Sequence, residues 1–215
     1  MTNWCFSPNG CAQVFRIVEG WHHTKPMMNH TISDDLEAMY QRGNRTKSFD
    51  FLRLRRPHLI PLARFFYGDN STRAWFRHDL IATNDTPVGS PASDDDCLRP
   101  SRGGNQGCPL ATLLNVGPYH ECLSEVQRVK PTMSMVCQAD DLTVNDADDR
   151  VYDNFDYKRE KAEEWWHTSN LTKVKCYSPA GDMRLAPAHL AGSAHHPGGR
   201  LRGLKIVGAY VGDDD

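Results

Sequence analysis

Apolar and polar positions alternate in several short stretches of the chain, which indicates β-strands. The sequence VCQADDLTV, residues 136–144, predicts the two strands of a hairpin, with Asp140 and Asp141 at its tip. Unpaired carboxylates are costly to bury, so we expect positive charge to meet this pair. Further strands are predicted to end near Ile32 and to cover residues 171–179 and 203–215.

Longer apolar stretches between these strands indicate helices. Residues 48–69 predict a helix that breaks or restarts at Pro57, because proline disfavours helix at the residue before it, and that ends at Gly68. Residues 105–129 predict a turn that leads into a buried helix, which Pro118 interrupts.

A third helix is predicted over residues 149–170, where charged positions face outward. The aromatic residues expected to pack inward are Tyr152, Phe155 and Trp166.

At 215 residues the chain can form one substantial domain, and we assign it to residues 27–215. Residues 1–26 have weak periodicity and are expected to be loosely ordered. Residues 84–104 are rich in Pro, Ser, Gly and Asp and are predicted to be a disordered insert. No internal repeat is present, which excludes solenoid folds.

The formal net charge of −2 conceals a basic block over residues 42–78. This block holds nine Arg or Lys residues against only Asp50 and Asp69. Such a distribution indicates a surface that faces a polyanion, although a solvated helix face with a basic bias explains it equally well.

The seven cysteines follow no regular spacing, so a disulfide framework is not expected and a reducing, intracellular compartment is favoured. The N-terminal residues do not resemble a signal peptide, and no apolar run is long enough to span a membrane. Cys5, Cys11, His22 and His23 could be considered as a zinc set, but their spacing fits no closed structural site.

Three short motifs carry candidate chemistry, and they occur in a fixed order. Asp35 precedes an aromatic residue, Tyr40, by five positions. The sequence QGCPL begins at Gln106 and opens a helix, and ADDL carries Asp140 and Asp141. This ordered set resembles the palm of reverse transcriptases, in particular those of non-LTR retrotransposons.

The resemblance runs from about residue 32 to the C-terminus and includes five motifs and one helix. They are DLEAMYQRGNR (35–45), the helix LRRPHLIPLARFFYGD (54–69), NQGCPLATLL (105–114), CQADDLTV (137–144), NLTKVKCYSP (170–179) and LKIVGAYVG (204–212). Any one of these matches is weak, but the ordered series is specific.

The resemblance implies an α+β polymerase palm, in which helices pack on one face of an antiparallel sheet. It also implies RNA-directed DNA polymerisation with an RNA template, a DNA or RNA primer and deoxynucleoside triphosphates. Mg²⁺ (or Mn²⁺) would be the cofactor, because two such ions neutralise the charge that develops in phosphoryl transfer. Asp35 and Asp140 would be the principal metal ligands and Asp141 the lesser one, since hard cations prefer carboxylate oxygens.

Further roles follow from the same resemblance. Lys173 would lie near the triphosphate and protonate the leaving pyrophosphate, with Lys175 as a competitor for that role. Tyr40 would pack under the sugar and reject a 2′-hydroxyl, although a tyrosine there also suits a core position. The implied substrate-binding residues are Tyr40, Arg45, Gln106, Gly107 and Pro109.

Some features depart from the family pattern. The second motif is one residue short before Pro118, and Gln138 stands where an aromatic or apolar residue is usual. So little sequence surrounds the motifs that we expect incomplete fingers and no thumb. Two alternatives to an active polymerase therefore remain: a noncatalytic remnant of a retroelement, and a nucleic-acid-binding module that uses residues 42–78.

Overall fold

The chain forms nine strands and six α-helices in the part that the structure describes. The strands are β1 (Thr2–Asn3), β2 (Asn29–Asp34), β3 (Arg73–Ala74), β4 (Cys97–Leu98), β5 (Ser134–Gln138), β6 (Asp141–Ala147), β7 (Lys175–Tyr177), β8 (Gly203–Ile206) and β9 (Ala209–Gly212). The helices are α1 (Gly10–Thr24), α2 (Met39–Arg42), α3 (Arg45–Arg55), α4 (Ile60–Tyr67), α5 (Pro109–Val129) and α6 (Arg150–Glu164).

The structure is a computed structural model, and the residues it describes are 2–3, 9–24, 29–68, 73–74, 97–98, 102–104, 107–147, 150–178, 187–190, 203–206 and 209–212. None of the helices in these ranges is long and apolar enough to cross a membrane.

A five-stranded sheet in the order β1-β5-β6-β2-β7 organises the fold. β5, β6, β2 and β7 are antiparallel to their neighbours, and the two-residue β1 adds in parallel to β5. Because β2 is paired on both sides, its backbone groups are satisfied and the strand can be buried. The fold is α+β and palm-like, as the sequence predicted.

Side-chain alternation divides the sheet into two apolar faces. Ile32, Met135 and Cys176 belong to the main core, which α5 and α6 cover. Val136 and Tyr177, each next to a main-core residue in sequence, belong to a second cluster on the opposite face. Both faces of the sheet therefore exclude water.

Helix α1 covers this second face, which corrects the expectation that residues 1–26 are loosely ordered. Val14 and Val18 lie one helical turn apart and are buried in the cluster of Val136. Two glycines, two histidines and the charged Arg16 and Glu19 interrupt the apolar positions of α1, which weakens the periodicity in the sequence. Packing on the sheet, rather than intrinsic propensity, stabilises this helix.

Some of the other helix and strand boundaries match those predicted from the sequence, and others differ from them. Helix α3 ends before a short 3₁₀ turn at Pro57–Leu59, and α4 ends at Gly68, as predicted. The single strand expected over 203–215 is instead the antiparallel hairpin β8–β9. Trp166, expected to pack inward, is 57% exposed because α6 ends before it.

Most of the insert predicted at 84–104 lies outside the described residues, but its last residues contact α2. The N–H of Gly104 donates to the carbonyl of Tyr40 at 2.6 Å, and that of Gly103 donates to Gly43 at 2.8 Å. Gly103 has φ +67°, and a Cβ there would lie 2.2 Å from the carbonyl oxygen of Gln41, so only glycine fits.

Helix α5 continues through Pro118 without interruption, contrary to the sequence expectation. Proline lacks an N–H, so the carbonyl of Leu114, four residues earlier, has no donor within the helix. The hydroxyl of Ser48, on α3, donates to this carbonyl at 2.5 Å. The neighbouring Gly117 allows the approach, since a Cβ there would lie 2.3 Å from the ring of Phe51.

We expect Ser48→Ala to lower the free energy of unfolding by about 1–3 kcal/mol, because it leaves the buried Leu114 carbonyl unsatisfied. In a Pro118→Ala background the new N–H at residue 118 can donate to that carbonyl. Ser48→Ala should therefore lower the free energy of unfolding by less in that background. Chemical denaturation of the two single variants and the double variant measures the coupling. Equal costs in both backgrounds would contradict this account of Pro118.

Candidate active site

The turn between β5 and β6 presents Asp140 and Asp141 at one edge of the sheet. Gln138 pairs with Asp141, so Ala139 and Asp140 form a two-residue loop. Ala139 has φ +56°, which glycine usually occupies in such turns and which costs an alanine about 1 kcal/mol. The strain lies directly beside the two carboxylates.

Asp35 reaches the same edge because it follows the last residue of β2. Asp34 pairs with Leu142, and continuing this antiparallel register by one residue places Asp35 opposite Asp141. Residues opposite each other in such pairs are about 5 Å apart at Cα. The sheet register therefore brings together three carboxylates from remote parts of the sequence.

Lys173 joins this group from the loop before β7. Its Nζ lies 2.6 Å from Oδ2 of Asp35, and its side chain is 65% exposed. The loop is attached to the strand end, since the N–H of Asn170 donates to the carbonyl of Asp35 at 2.8 Å. Lys175, the competing lysine, lies on β7, with its Cα opposite that of Ser33.

The electrostatics of the edge reflect crowded negative charge. Desolvation raises the pKa of Asp141 to about 6, and repulsion from Asp140 and Asp35 adds to the effect. Desolvation likewise raises the pKa of Asp140, with a contribution from Asp35. Lys173 opposes both shifts, and its own pKa is raised by its hydrogen bond with Asp35.

The donor chemistry of the edge suits a hard divalent cation, because all three carboxylates offer oxygen ligands and a cation would relieve their repulsion. Within the described ranges, however, no three His, Cys, Asp or Glu side chains are arranged as a ready-made metal site. Asp35 is paired with Lys173 instead. Joint coordination by Asp35, Asp140 and Asp141 therefore requires their side chains to turn towards one another.

Tyr40 and Arg45 lie on the helices that follow Asp35. Tyr40 is half-buried, packs against both the main core and the α3–α5 contact, and has its hydroxyl 3.4 Å from that of Thr112. Arg45 donates to the carbonyls of Gly103 at 3.0 Å and Tyr67 at 3.2 Å. These bonds make Arg45 a link between loop and helix, a role that the sequence did not predict.

The remaining predicted residues lie at or near the start of α5. Gln106 is outside the described residues. Gly107 has φ +87°, which favours glycine, and a Cβ there would meet nothing within 4 Å. Pro109 is the exposed first residue of α5, where its missing N–H has no cost. Among the residues that the structure describes, none therefore blocks the approach of a molecule to Gly107.

A buried ionic cluster lies behind the carboxylate edge, and it was not predicted from the sequence. Asp34 shares the face of Ile32, so it points into the core, where Lys158 of α6 pairs with it and Ser169 donates to it at 3.0 Å. The spacing of Val151, Phe155, Lys158 and Ala162 was the available signal, because it places a lysine on the apolar face of a helix.

His167 adjoins this cluster without adding charge to it. Burial and, to a smaller extent, the nearby Lys158 lower the pKa of His167 to about 4. The imidazole is therefore neutral at pH 7, and Lys158 is the cation that balances Asp34.

Comparisons with known proteins give structural likeness but no sequence relatives. No protein-family model matches the sequence, and no curated protein matches it. Among solved structures, telomerase from Candida albicans in complex with a TWJ fragment of telomeric RNA matches with a TM-score of 0.51 and 12% identity. That match covers 96% of this chain and 32% of the telomerase chain.

Apo telomerase from Candida tropicalis, truncated from its C-terminal domain, matches with a TM-score of 0.55 and 12% identity. The match covers 98% of this chain and 39% of the other, so this chain spans only 32–39% of the length of these two telomerase chains. At this identity the likeness concerns the fold alone. The chain thus shares the α+β fold of these telomerase structures.

Proposed function

We propose that this chain is the palm part of an RNA-directed DNA polymerase of the non-LTR retrotransposon type. The observation that carries the proposal is the meeting of Asp35, Asp140 and Asp141 with Lys173 at one sheet edge. A solvated acidic turn would not require a second strand to deliver a third carboxylate. The reaction is attack of a primer 3′-hydroxyl on the α-phosphorus of a deoxynucleoside triphosphate, with release of pyrophosphate.

Asp35, Asp140 and Asp141 would hold Mg²⁺ (or Mn²⁺), and the bound ions would neutralise charge on the triphosphate and lower the pKa of the primer hydroxyl. Desolvation is the main cause of the raised pKa of Asp141, and the repulsion from Asp140 and Asp35 that adds to it supports this assignment, because crowded carboxylates favour cation binding. Asp35 would have to leave its pairing with Lys173 in order to hold a metal ion.

Lys173, once released, would face the triphosphate. Its ammonium group can bind a phosphate oxygen and donate a proton to the leaving pyrophosphate. Because the side chain is largely exposed, it loses little packing energy when it turns away from Asp35. Tyr40 would lie against the sugar of the nucleotide, and Gly107 and Pro109 would border the template strand.

A second candidate, nucleic-acid binding without chemistry, is favoured by a different observation. Phe65 of α4 is 77% exposed, and Arg56 and Arg64 are exposed near it in the sequence. An exposed aromatic ring suits stacking with a single-stranded base, and exposed arginines on the same segment suit contact with phosphates. Arg53 and Arg55 contribute less, because Asp50 and Glu121 pair with them.

For the polymerase, we expect Asp140→Ala to reduce Mg²⁺-dependent primer extension by at least about a hundredfold, since it removes several kcal/mol of charge stabilisation. Asp153→Ala, at an exposed position of α6, is the matched control and should retain activity. Extension of a labelled primer on an RNA template measures both. A folded wild-type protein that extends no primer would exclude the catalytic proposal.

The crowded carboxylates also predict a pH dependence of stability. The pKa of Asp141 is about 6 in the folded chain against about 3.9 unfolded, so ionisation of Asp141 opposes folding as pH rises through this window. Two pKa units correspond to about 2.7 kcal/mol, which solvent around the exposed residue reduces to about 1 kcal/mol.

Asp141→Asn should therefore raise the free energy of unfolding at pH 7 by about 1 kcal/mol and leave it unchanged near pH 3. Chemical denaturation without divalent cations at both pH values measures this. A destabilised variant at pH 7 would show that the carboxylate makes favourable interactions instead.

For the binding surface, we expect Phe65→Ala to weaken binding of single-stranded RNA about tenfold through loss of stacking. Trp166→Ala removes an exposed aromatic ring from the turn after α6 and is the control. Fluorescence anisotropy at two salt concentrations separates stacking from charge, because charge-driven binding weakens steeply with salt. Equal effects of the two changes would argue against a binding surface on α4.

A further inference from the structure

The ammonium group of Lys158 is enclosed in the core, where two oxygen contacts and two aromatic rings surround it. Its side chain is fully buried, and Nζ pairs with Oδ2 of Asp34 and lies 3.2 Å from the hydroxyl of Ser169. The rings of Tyr119 and Phe155 lie 5.7 Å and 5.5 Å from Nζ. The cluster thus joins α6, the end of β2 and the loop after α6.

Stability alone gives a poor account of this cluster. Removing both charges from water is costly, and an apolar pair of similar volume often stabilises a core equally well or better. The position of Lys158 on the apolar face of α6 would suit leucine by packing alone. Its contacts suggest a geometric role, because they join two segments that both lead to the carboxylate edge.

The two segments are residues 35–37 and 168–174, and backbone hydrogen bonds run between them. The N–H of Glu37 donates to the carbonyl of Thr168 at 2.7 Å, and Leu36 forms a β-bridge with Ser169. The N–H of Lys173 donates to the carbonyl of Asn170 at 2.8 Å, which closes the loop. The side chain of Ser169 ties this junction to the buried ion pair.

We propose that Lys158 and Ser169 are positioning residues that fix the Lys173 loop against the strand end that carries Asp35. The proposal rests on the polymerase function for its catalytic consequence, but its geometric content is independent of that function. Asp34 orients the strand from inside the core, and Asp35, the next residue, presents its carboxylate at the edge. Ser169 transmits the same constraint to the loop.

The decisive variant is Ser169→Ala, which removes the link to the loop and keeps the Lys158–Asp34 pair. Ser48→Ala is the matched control, because it also removes a buried hydroxyl but lies on α3, away from the edge. Ser169→Thr retains a hydroxyl and tests rescue. Two readouts are needed: amide hydrogen exchange at Asn170 and Lys173, and kcat and KM for primer extension.

We expect Ser169→Ala to accelerate exchange at both amides about tenfold relative to the control, because the loop opens more often. Equal amide exchange rates at Asn170 and Lys173 in Ser169→Ala and Ser48→Ala would overturn the proposal. A general loss of stability would then explain the faster exchange in both variants. This readout applies even if the wild-type chain extends no primer, in which case the polymerase proposal fails while the positioning proposal is still tested.

With an active chain, we expect Ser169→Ala to lower kcat about tenfold at nearly constant KM for the nucleotide, because Lys173 acts on the leaving group in the transition state. Ser169→Thr should recover most of the loss. An unchanged kcat, or an equal loss in Ser48→Ala, would contradict the catalytic consequence of the proposal.

Discussion

The pairing of β2 with both β6 and β7 is the constraint on which the rest of the structure depends. Because side chains alternate along a strand, this register sends Asp34 into the helix-covered core and Asp35 to the edge. A slip of one residue would turn Ile32 and Asp34 away from the core and break the ion pair of Asp34 with Lys158. The ion pair between Lys158 and Asp34 therefore favours the one register that assembles the candidate site.

Unfavourable backbone conformation and unfavourable electrostatics are concentrated at this edge of the sheet. Ala139 adopts a conformation that suits glycine, and Asp140 and Asp141 have raised pKa values because neighbouring protein desolvates them. Such conflicts are typical of functional sites, where chemistry rather than stability selects the arrangement. The core beneath the edge shows the opposite pattern, since the carboxylate of Asp34 has both a cation and a hydroxyl donor.

Helices α3 and α5 connect the basic part of the chain to this core. Their contact depends on Gly117, which admits the ring of Phe51, and on Ser48, which satisfies the carbonyl that Pro118 leaves open. A proline inside a helix is thereby compatible with 21 continuous helical residues. The loop residues Gly103 and Gly104 donate backbone hydrogen bonds to the end of α2, and the carbonyl of Gly103 accepts a hydrogen bond from Arg45 of α3.

Local pattern in the sequence was sufficient for the hairpin at Asp140 and the break at Pro57, because alternation and proline geometry are short-range signals. The grouping of Asp35 with Asp140 and Asp141 was implied instead by the resemblance of the ordered motifs to a known family. The continuity of α5, the order in α1 and the burial of Lys158 depended on partners distant in sequence: Ser48 on α3, the cluster of Val136 on the sheet, and Asp34 on β2. Hydrogen bonds and packing between remote segments override local preference, since a helix or a buried charge becomes stable only when its partner is in place.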